Sequence, residues 1–247
     1  MFFIIGTIFG SFYNVVGYRL PLKESLMFPS SHCPNCNHKL GATELIPIFS
    51  YLFLGGKCKK CKDKISIIYP LFELCSGLLF MLSYLVFGLT LECLLSITFI
   101  SMILIIIISD FRYMIINDSV LIVFSLFILI EKFFIEGISG VGESLINGII
   151  AFGIMLLIKF IGDFIFKKES MGGGDVKLMF VFGLVLGYIN SVISIFIASI
   201  IGLPISLILL KKNSNHEVPF GPYLGIAAII LLLANIDFDF LINLYNI

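Results

Sequence analysis

The sequence predicts an all-α polytopic membrane protein of about eight transmembrane helices with one small polar loop, and three observations carry that expectation. The first is composition: 59% of the 247 residues are hydrophobic and mean hydropathy is +1.11, well above the apolar share of a soluble domain. The second is distribution, because the apolar residues gather in runs near the roughly 20 residues that a helix needs to cross about 30 Å of hydrocarbon. The third is charge, since the zero formal net charge conceals a lopsided placement of the basic residues.

Eight runs are marked in order: 1–18, 67–87, 92–109, 118–134, 143–166, 175–187, 188–210 and 223–244. The first has no basic stretch before it and no small-residue cleavage site ahead of the polar loop, so it is expected to be retained as a helix. The sixth and seventh are divided only by the short turn Gly187-Tyr188-Ile189-Asn190. With these boundaries, all of the 16 Lys and Arg residues except Lys132 fall on one side. Basic loops stay in the cytoplasm, so loops 19–66, 109–118, 167–176 and 211–222 are expected to be cytoplasmic and both termini outside. The domain organisation follows: residues 1–18 form the first helix, 19–66 a cytoplasmic loop, and 67–247 the remaining seven helices.

The loop 19–66 contains Cys33-Pro34-Asn35-Cys36 and Cys58-Lys59-Lys60-Cys61. Two Cys-x-x-Cys knuckles can present four thiolates to one tetrahedral Zn²⁺, the arrangement of a zinc ribbon. Two disulfides are the alternative, disfavoured in a compartment that keeps thiols reduced. Four cysteines leave no open position for water, so such a metal is structural. His32 and His38 flank the first knuckle as possible substitutes. Cys75 and Cys93 lie inside spans, where a small buried apolar residue is the default.

Two carboxylates stand out. Asp175 follows Gly172-Gly173-Gly174 at the start of an apolar span, and Asp110 ends the third span, with Asp118 beginning the fourth. An ionisable residue at a membrane boundary is a functional hypothesis by default. Glycines leave room for a peptide to approach, although an aspartate there also serves as a helix N-cap. Asp110 and Asp175 are expected at similar depth. Facing each other, two carboxyl groups would not both ionise easily, and such a pair can activate water and protonate a leaving amine.

These residues resemble the type IV prepilin peptidase family, membrane enzymes that trim the leader from prepilins and pseudopilins. The resemblance runs along nearly the whole chain. It includes Gly10-Ser11-Phe12-Tyr13-Asn14, Arg19-Leu20-Pro21, both cysteine pairs, Leu54-Gly55-Gly56-Lys57, Tyr69-Pro70-Leu71-Phe72-Glu73, the Asp110 to Asp118 stretch, Gly172-x-Gly174-Asp175-x-Lys177 and Pro219-Phe220-Gly221-Pro222-Tyr223-Leu224. One departure is Asn117-Asp118, where the family commonly has Pro-Asp. It changes the turn into the fourth span and leaves both aspartate positions in place.

The resemblance implies a GxGD-type intramembrane aspartyl protease in the bacterial cytoplasmic (inner) membrane. Its catalytic residues would be Asp110 and Asp175, with Gly172, Gly174, Lys177 and Asp118 in support. It also implies N-methylation of the new N-terminus with S-adenosylmethionine, for which Gly56 and Lys57 are the candidate cofactor-binding residues. Cys33, Cys36, Cys58 and Cys61 would hold structural Zn²⁺. The implied partners are the N-terminal segment of a prepilin or pseudopilin and the lipid bilayer, with no nucleic acid. Cleavage is expected after a Gly and before a hydrophobic residue, at the cytoplasmic face.

Other charged residues have plainer readings. Lys177 either favours the ionised Asp175 carboxylate or anchors the helix at the interface. Glu73 either binds a substrate group or pairs with a loop lysine. Lys159 and Asp163, four apart on one helix face, are expected to form an ion pair. Asp237 and Asp239 mark the outer end of the last span. The rival class is an ion-coupled transporter relaying ions through Asp110, Asp118 and Asp175. Carboxylates at one face rather than at the midplane, and halves without an inverted repeat, count against it.

Overall fold

A computed structural model describes residues 1–212 and 219–235 of the chain. Among them the regular elements are helices: α1 (Phe2–Arg19), α2 (Phe49–Phe53), α3 (Ile68–Phe87), α4 (Leu91–Tyr113), α5 (Asp118–Phe166), α6 (Gly173–Lys212) and α7 (Gly221–Ala234), with a 3-10 turn at Ala42–Glu44. The only β pairing among the described residues is two isolated bridges, His32 with Lys39 and Lys57 with Lys64. Asp237, Asp239 and the end of the predicted last span lie outside the described residues. The chain divides into two compact units, Met1–Gly88 and Leu89–Ile247.

In the first unit α1 and α3 pack through small residues. A Cβ on Gly6 would lie 2.7 Å from the Ser76 carbonyl oxygen and one on Gly10 2.8 Å from Ser76 Cβ. The Gly-x-x-x-Gly spacing therefore lets the two backbones approach where lipid offers no hydrophobic drive to associate. Ring contacts fix the direction: Phe2 stacks on Tyr84 at 4.5 Å between centroids, Phe9 lies 6.1 Å from Phe80, and Tyr18 lies 5.4 Å from Tyr69. As α1 is followed forward, α3 is met backward, so the pair is antiparallel.

The second unit is built around α4. Every residue from Phe99 to Asp110 is buried, as expected of a helix that is apolar on all sides. It packs on α5 and α7, while α6 packs on α5 and α7 in turn. Phe99 meets Phe182 of α6 edge-on at 5.5 Å, and Thr98 donates to the buried Glu131 of α5 at 2.7 Å.

By length and composition, α3, α4, α5 and the Gly173–Ser206 part of α6 can cross a membrane. The two longest are interrupted. The 49-residue α5 breaks at Gly137 (φ 73°, ψ −162°) and α6 breaks at Gly187 (φ 76°, ψ 164°), conformations open essentially to glycine. Both turns are tighter than the apolar pattern suggested. Helix resumes at residue 138 rather than 143, and the expected Gly187 to Asn190 turn contracts to Gly187. One glycine in this region redirects the chain without a loop. At the start of α5, Asn117 Oδ1 accepts from the Ser119 N–H at 2.9 Å, so asparagine supplies an N-cap where proline would have preset the turn.

α5 and α6 approach tightly at Gly183, where a Cβ would lie 2.5 Å from the Asn147 carbonyl oxygen and 2.6 Å from Gly148 Cα. Both obstacles are backbone and cannot swing aside. Gly183→Ala is expected to destabilise the second unit by about 1–3 kcal/mol, the usual range for overpacking, seen as a lower thermal transition in detergent.

Candidate active site and metal centre

Asp110 closes the buried run of α4 and Asp175 lies in the first turn of α6; they are 5% and 7% exposed. A buried carboxylate needs hydrogen-bond donors, and each finds backbone at the start of a helix. The Gly221 N–H, at the head of α7, donates to Asp110. The Gly172 N–H, just before α6, donates to Asp175. Helix N-termini carry partial positive charge and favour carboxylates. Asp175 is thus a first-turn residue whose carboxylate folds back on the preceding backbone, rather than the N-cap itself. The two carboxyl groups are near enough for the charge of Asp110 to act on Asp175.

Ile116, in the connection between α4 and α5, lies against both Gly174 and Gly221. A Cβ on Gly174 would lie 2.8 Å from Ile116 Cβ, and one on Gly221 would lie 3.2 Å from Ile116 Cδ1 and 2.7 Å from Asp110 Oδ2. Gly174 therefore clears space for Ile116, whereas Gly173 faces open space. Neither Ile116 nor Gly221 stood out as a site residue in the sequence, although Gly221 sits in the Pro219 to Leu224 motif. Gly221→Ala pushes a methyl group against the Asp110 carboxylate. A displacement of about 1 Å at a reacting group costs on the order of 100-fold in rate, and a loss of that size in substrate turnover, with folding retained, is the expected result.

The charged residues around Asp175 are arranged differently from the sequence expectation. Lys177 Nζ lies 2.7 Å and 2.8 Å from the two Asp118 oxygens, an exposed pair that ties the start of α6 to the start of α5. Lys159 and Asp163 do not bond one another. Lys159 Nζ donates to the Met171 carbonyl at 2.9 Å, and Asp163 Oδ1 accepts from the N–H and the hydroxyl of Ser170 at 2.6 Å and 2.8 Å. Both are drawn to the 167–172 connection because it passes over the end of α5 and leaves backbone groups to satisfy.

In the first unit the sulfurs of Cys33, Cys36, Cys58 and Cys61 lie within 4.8 Å of one another. Cys33 and Cys61 are 3.7 Å apart and Cys36 and Cys58 3.8 Å, far beyond a disulfide bond. A tetrahedral four-thiolate site with metal–sulfur bonds of about 2.3 Å has sulfurs about 3.8 Å apart. Residues present and metal geometry therefore fit.

The two knuckles repeat each other. The N–H of Cys33 donates to the His38 carbonyl and that of Cys58 to the Asp63 carbonyl, while the N–H groups of Asn37 and Lys62 donate back to Cys33 and Cys58. Asn37 and Lys62 both take positive φ, 55° and 63°. Backbone N–H groups of Cys61 and Lys60 hold the Cys58 thiol down at about 6. The Asp63 N–H favours the Cys61 thiolate as well, but burial, the Asp63 side chain and the sulfurs of Cys36 and Cys58 outweigh it and push that thiol up to about 12. Four such sulfurs ionise together only around a cation. Neither histidine joins them: His32 faces the Ser30 carbonyl at 3.0 Å and His38 faces Glu44 at 3.2 Å.

Between the knuckles and the ends of α1 and α3 lies a cavity of about 480 Å³, whose lining includes Asn14, Tyr18, Glu44, Tyr51, Tyr69 and Glu73. Glu73, 8% exposed, accepts from the Ile48 N–H at 2.7 Å and from Ser11, so its partners are a backbone amide and a hydroxyl rather than a loop lysine. Ile48 itself has φ 63°, in a turn that Glu73 joins to the backbone hydrogen bonds around it. Gly56 is buried with φ 67° in the turn before Cys58, and Lys57 is exposed and bridged to Lys64.

Comparison with known proteins places these two units. Residues 4–87 match the bacterial peptidase A24 N-terminal domain and residues 97–207 the type IV leader peptidase family. The prepilin leader peptidase/N-methyltransferase of Bacillus subtilis (strain 168) is 34% identical over 234 residues, 94% of this chain and 92% of that protein. Those of the same name from Neisseria gonorrhoeae and Pseudomonas aeruginosa are 34% and 31% identical, covering 94% and 93% of this chain and 89% and 88% of theirs. No solved structure matches the chain. With its long apolar helices and these relatives, the chain is an integral membrane protein, and it belongs to the type IV leader peptidase family.

Proposed function

We propose that this protein is a membrane aspartic endopeptidase that cleaves the basic leader from type IV prepilins or pseudopilins and then N-methylates the exposed terminus. The observation that carries the reading is the pair Asp110 and Asp175, buried in one unit and each turned to a helix N-terminus. Two interacting carboxyl groups titrate as a unit and share a proton. The ionised member takes a proton from a water as it attacks the scissile carbonyl. The protonated member hydrogen-bonds the carbonyl oxygen and supplies the proton that the leaving amine needs. Lys177 and Asp118 support the site by fixing the start of α6 against α5, and Gly172 and Gly174 by donating to Asp175 and admitting Ile116.

The metal of the cysteine cluster is Zn²⁺ in a structural role, supported by the donor set and its spacing. The methyl donor is S-adenosylmethionine, which supplies an electrophilic methyl group. The cavity under the knuckles suits it: the volume is in the range of small-molecule sites, three tyrosine rings can stack on an adenine, and Glu44 and Glu73 can meet hydroxyl or amino groups. Gly56 and Lys57, assigned from the family motif, shape the turn that leads into Cys58 beside it. The chain sits in the bacterial cytoplasmic membrane with both termini outside, supported by the one-sided basic residues. An ion-coupled transporter finds no support in the fold or the relatives.

The test uses the purified full chain in lipid, a prepilin N-terminal peptide with a basic leader, and S-adenosylmethionine, with mass spectrometry of the product. A peptide cut after the Gly and heavier by one methyl group is expected. An uncut peptide sinks the reading, and a cut but unmethylated one removes the methyltransferase alone.

A further inference from the structure

Gly172 precedes α6, and Gly173 and Gly174 are its first residues, so the start of the helix that carries Asp175 has no side chains of its own with which to bind its surroundings. Beyond the helix itself and the Gly172 N–H bond to Asp175, side-chain anchors for this start must come from outside the run. The neighbouring element is α5, on which Ser144, Gly148, Ala151 and Met155 form a buried stripe. Gly148 lies directly against Phe180 of α6. The next residue of that stripe, four beyond Met155, is Lys159.

A lysine in this position is costly unless its ammonium has partners. Lys159 Nζ donates to the Met171 carbonyl, the residue immediately before the glycines, at 2.9 Å. It is also close enough for its charge to act on the Asp175 carboxylate. One turn on, Asp163 grips Ser170 through both its N–H and its hydroxyl, and Ser170 Oγ donates in turn to the Lys159 carbonyl at 3.3 Å. The loop is thus held at two consecutive residues by one end of α5. Lys177, the lysine nearest to Asp175 in sequence, is engaged with Asp118 instead.

We propose that Lys159 is a positioning residue for the aspartate pair, its ammonium anchoring the Met171 carbonyl so that the glycine run presents the Asp175 carboxylate to Asp110. The assignment rests on the reading of Asp175 as half of a catalytic pair, and the role differs from an interfacial anchor in what it moves. An anchor affects insertion and stability. A positioning residue affects turnover and leaves substrate binding alone.

The experiment measures leader-peptide cleavage by full-length Lys159→Met, Lys159→Arg and Asp163→Asn beside the wild type and Asp175→Asn, with thermal melts as the folding control. Lys159→Met is expected to lower kcat by about 10–100-fold, the scale of a misplaced reacting group, with KM changed less than about twofold. Lys159→Arg, which keeps charge and donor, is expected to restore kcat to within about fivefold, and Asp163→Asn to fall between. A kcat for folded Lys159→Met within about twofold of wild type overturns the proposal, as does an Arg variant as impaired as the Met variant. Should Lys159→Met fail to fold, Lys159→Gln takes its place: a loss relative to Lys159→Arg supports the role, and equal rates overturn it. An active Asp175→Asn overturns the catalytic-pair reading and this inference with it. An inactive Asp175→Asn beside a fully active Lys159→Met overturns this inference alone.

Discussion

Asparagine at Asp110 or at Asp175 is expected to reduce leader cleavage by about 10²–10⁴-fold, the usual contribution of a positioned acid or base. The amide keeps the size of the carboxyl group and can still accept from the Gly221 or Gly172 N–H. What it cannot do is take a proton from water. The two losses should not add, because residues acting as one unit fail together, and the double variant should be about as slow as either single one. Methylation of an already trimmed peptide is expected to persist in both, since that chemistry is assigned to the first unit. Cleavage retained in either variant would sink the pair as the catalytic site.

Serine at Cys58 is expected to empty the cysteine cluster of metal. The sulfurs sit at the separation a tetrahedral site requires, and Cys58, only 2% exposed, is the thiol that its backbone donors hold most ready to ionise. A neutral hydroxyl in its place removes one of four ligands, a larger perturbation than the 10–100-fold in affinity that loss of an outer-shell partner costs. Elemental analysis of the wild type should find about one zinc per chain, the stoichiometry of a closed four-ligand site, and little in the variant. Methyl transfer should fall with it, because the knuckles form one wall of the 480 Å³ cavity, while leader cleavage continues. A metal-free wild type that still methylates its substrate would remove the structural role given to the ion.

Much of this molecule is readable along the chain. The all-helical class follows from apolar runs that have only one way to satisfy backbone groups in lipid. The knuckles follow from two Cys-x-x-Cys pairs, and the aspartates from their places beside Gly174 and at the end of the third span. These are local features, in which neighbours in sequence decide the outcome. The reach of the helices was harder to read, since Gly137 and Gly187 each turn the chain in a single residue and hydropathy has no way to distinguish such a break from a loop of several.

Side-chain partners are less legible along the chain. Spacing of four along a helix suggests that Lys159 pairs with Asp163, whereas the sequence leaves Lys177 between Asp175 and an interfacial anchor, and Glu73 between a substrate group and a loop lysine. In the structure Lys159 meets the Met171 carbonyl, Lys177 meets Asp118, and Glu73 meets the Ile48 amide. A charged side chain takes whichever donor or acceptor the fold leaves unsatisfied nearby, and those groups are mostly backbone exposed at turns and helix ends. The residue types and their order thus point to the helical membrane class, to the four cysteines that cluster and to the two carboxylates that are buried. Only packing decided that Gly221 and Ile116 frame them, because contacts between α4, α6 and α7 join residues that no local pattern relates.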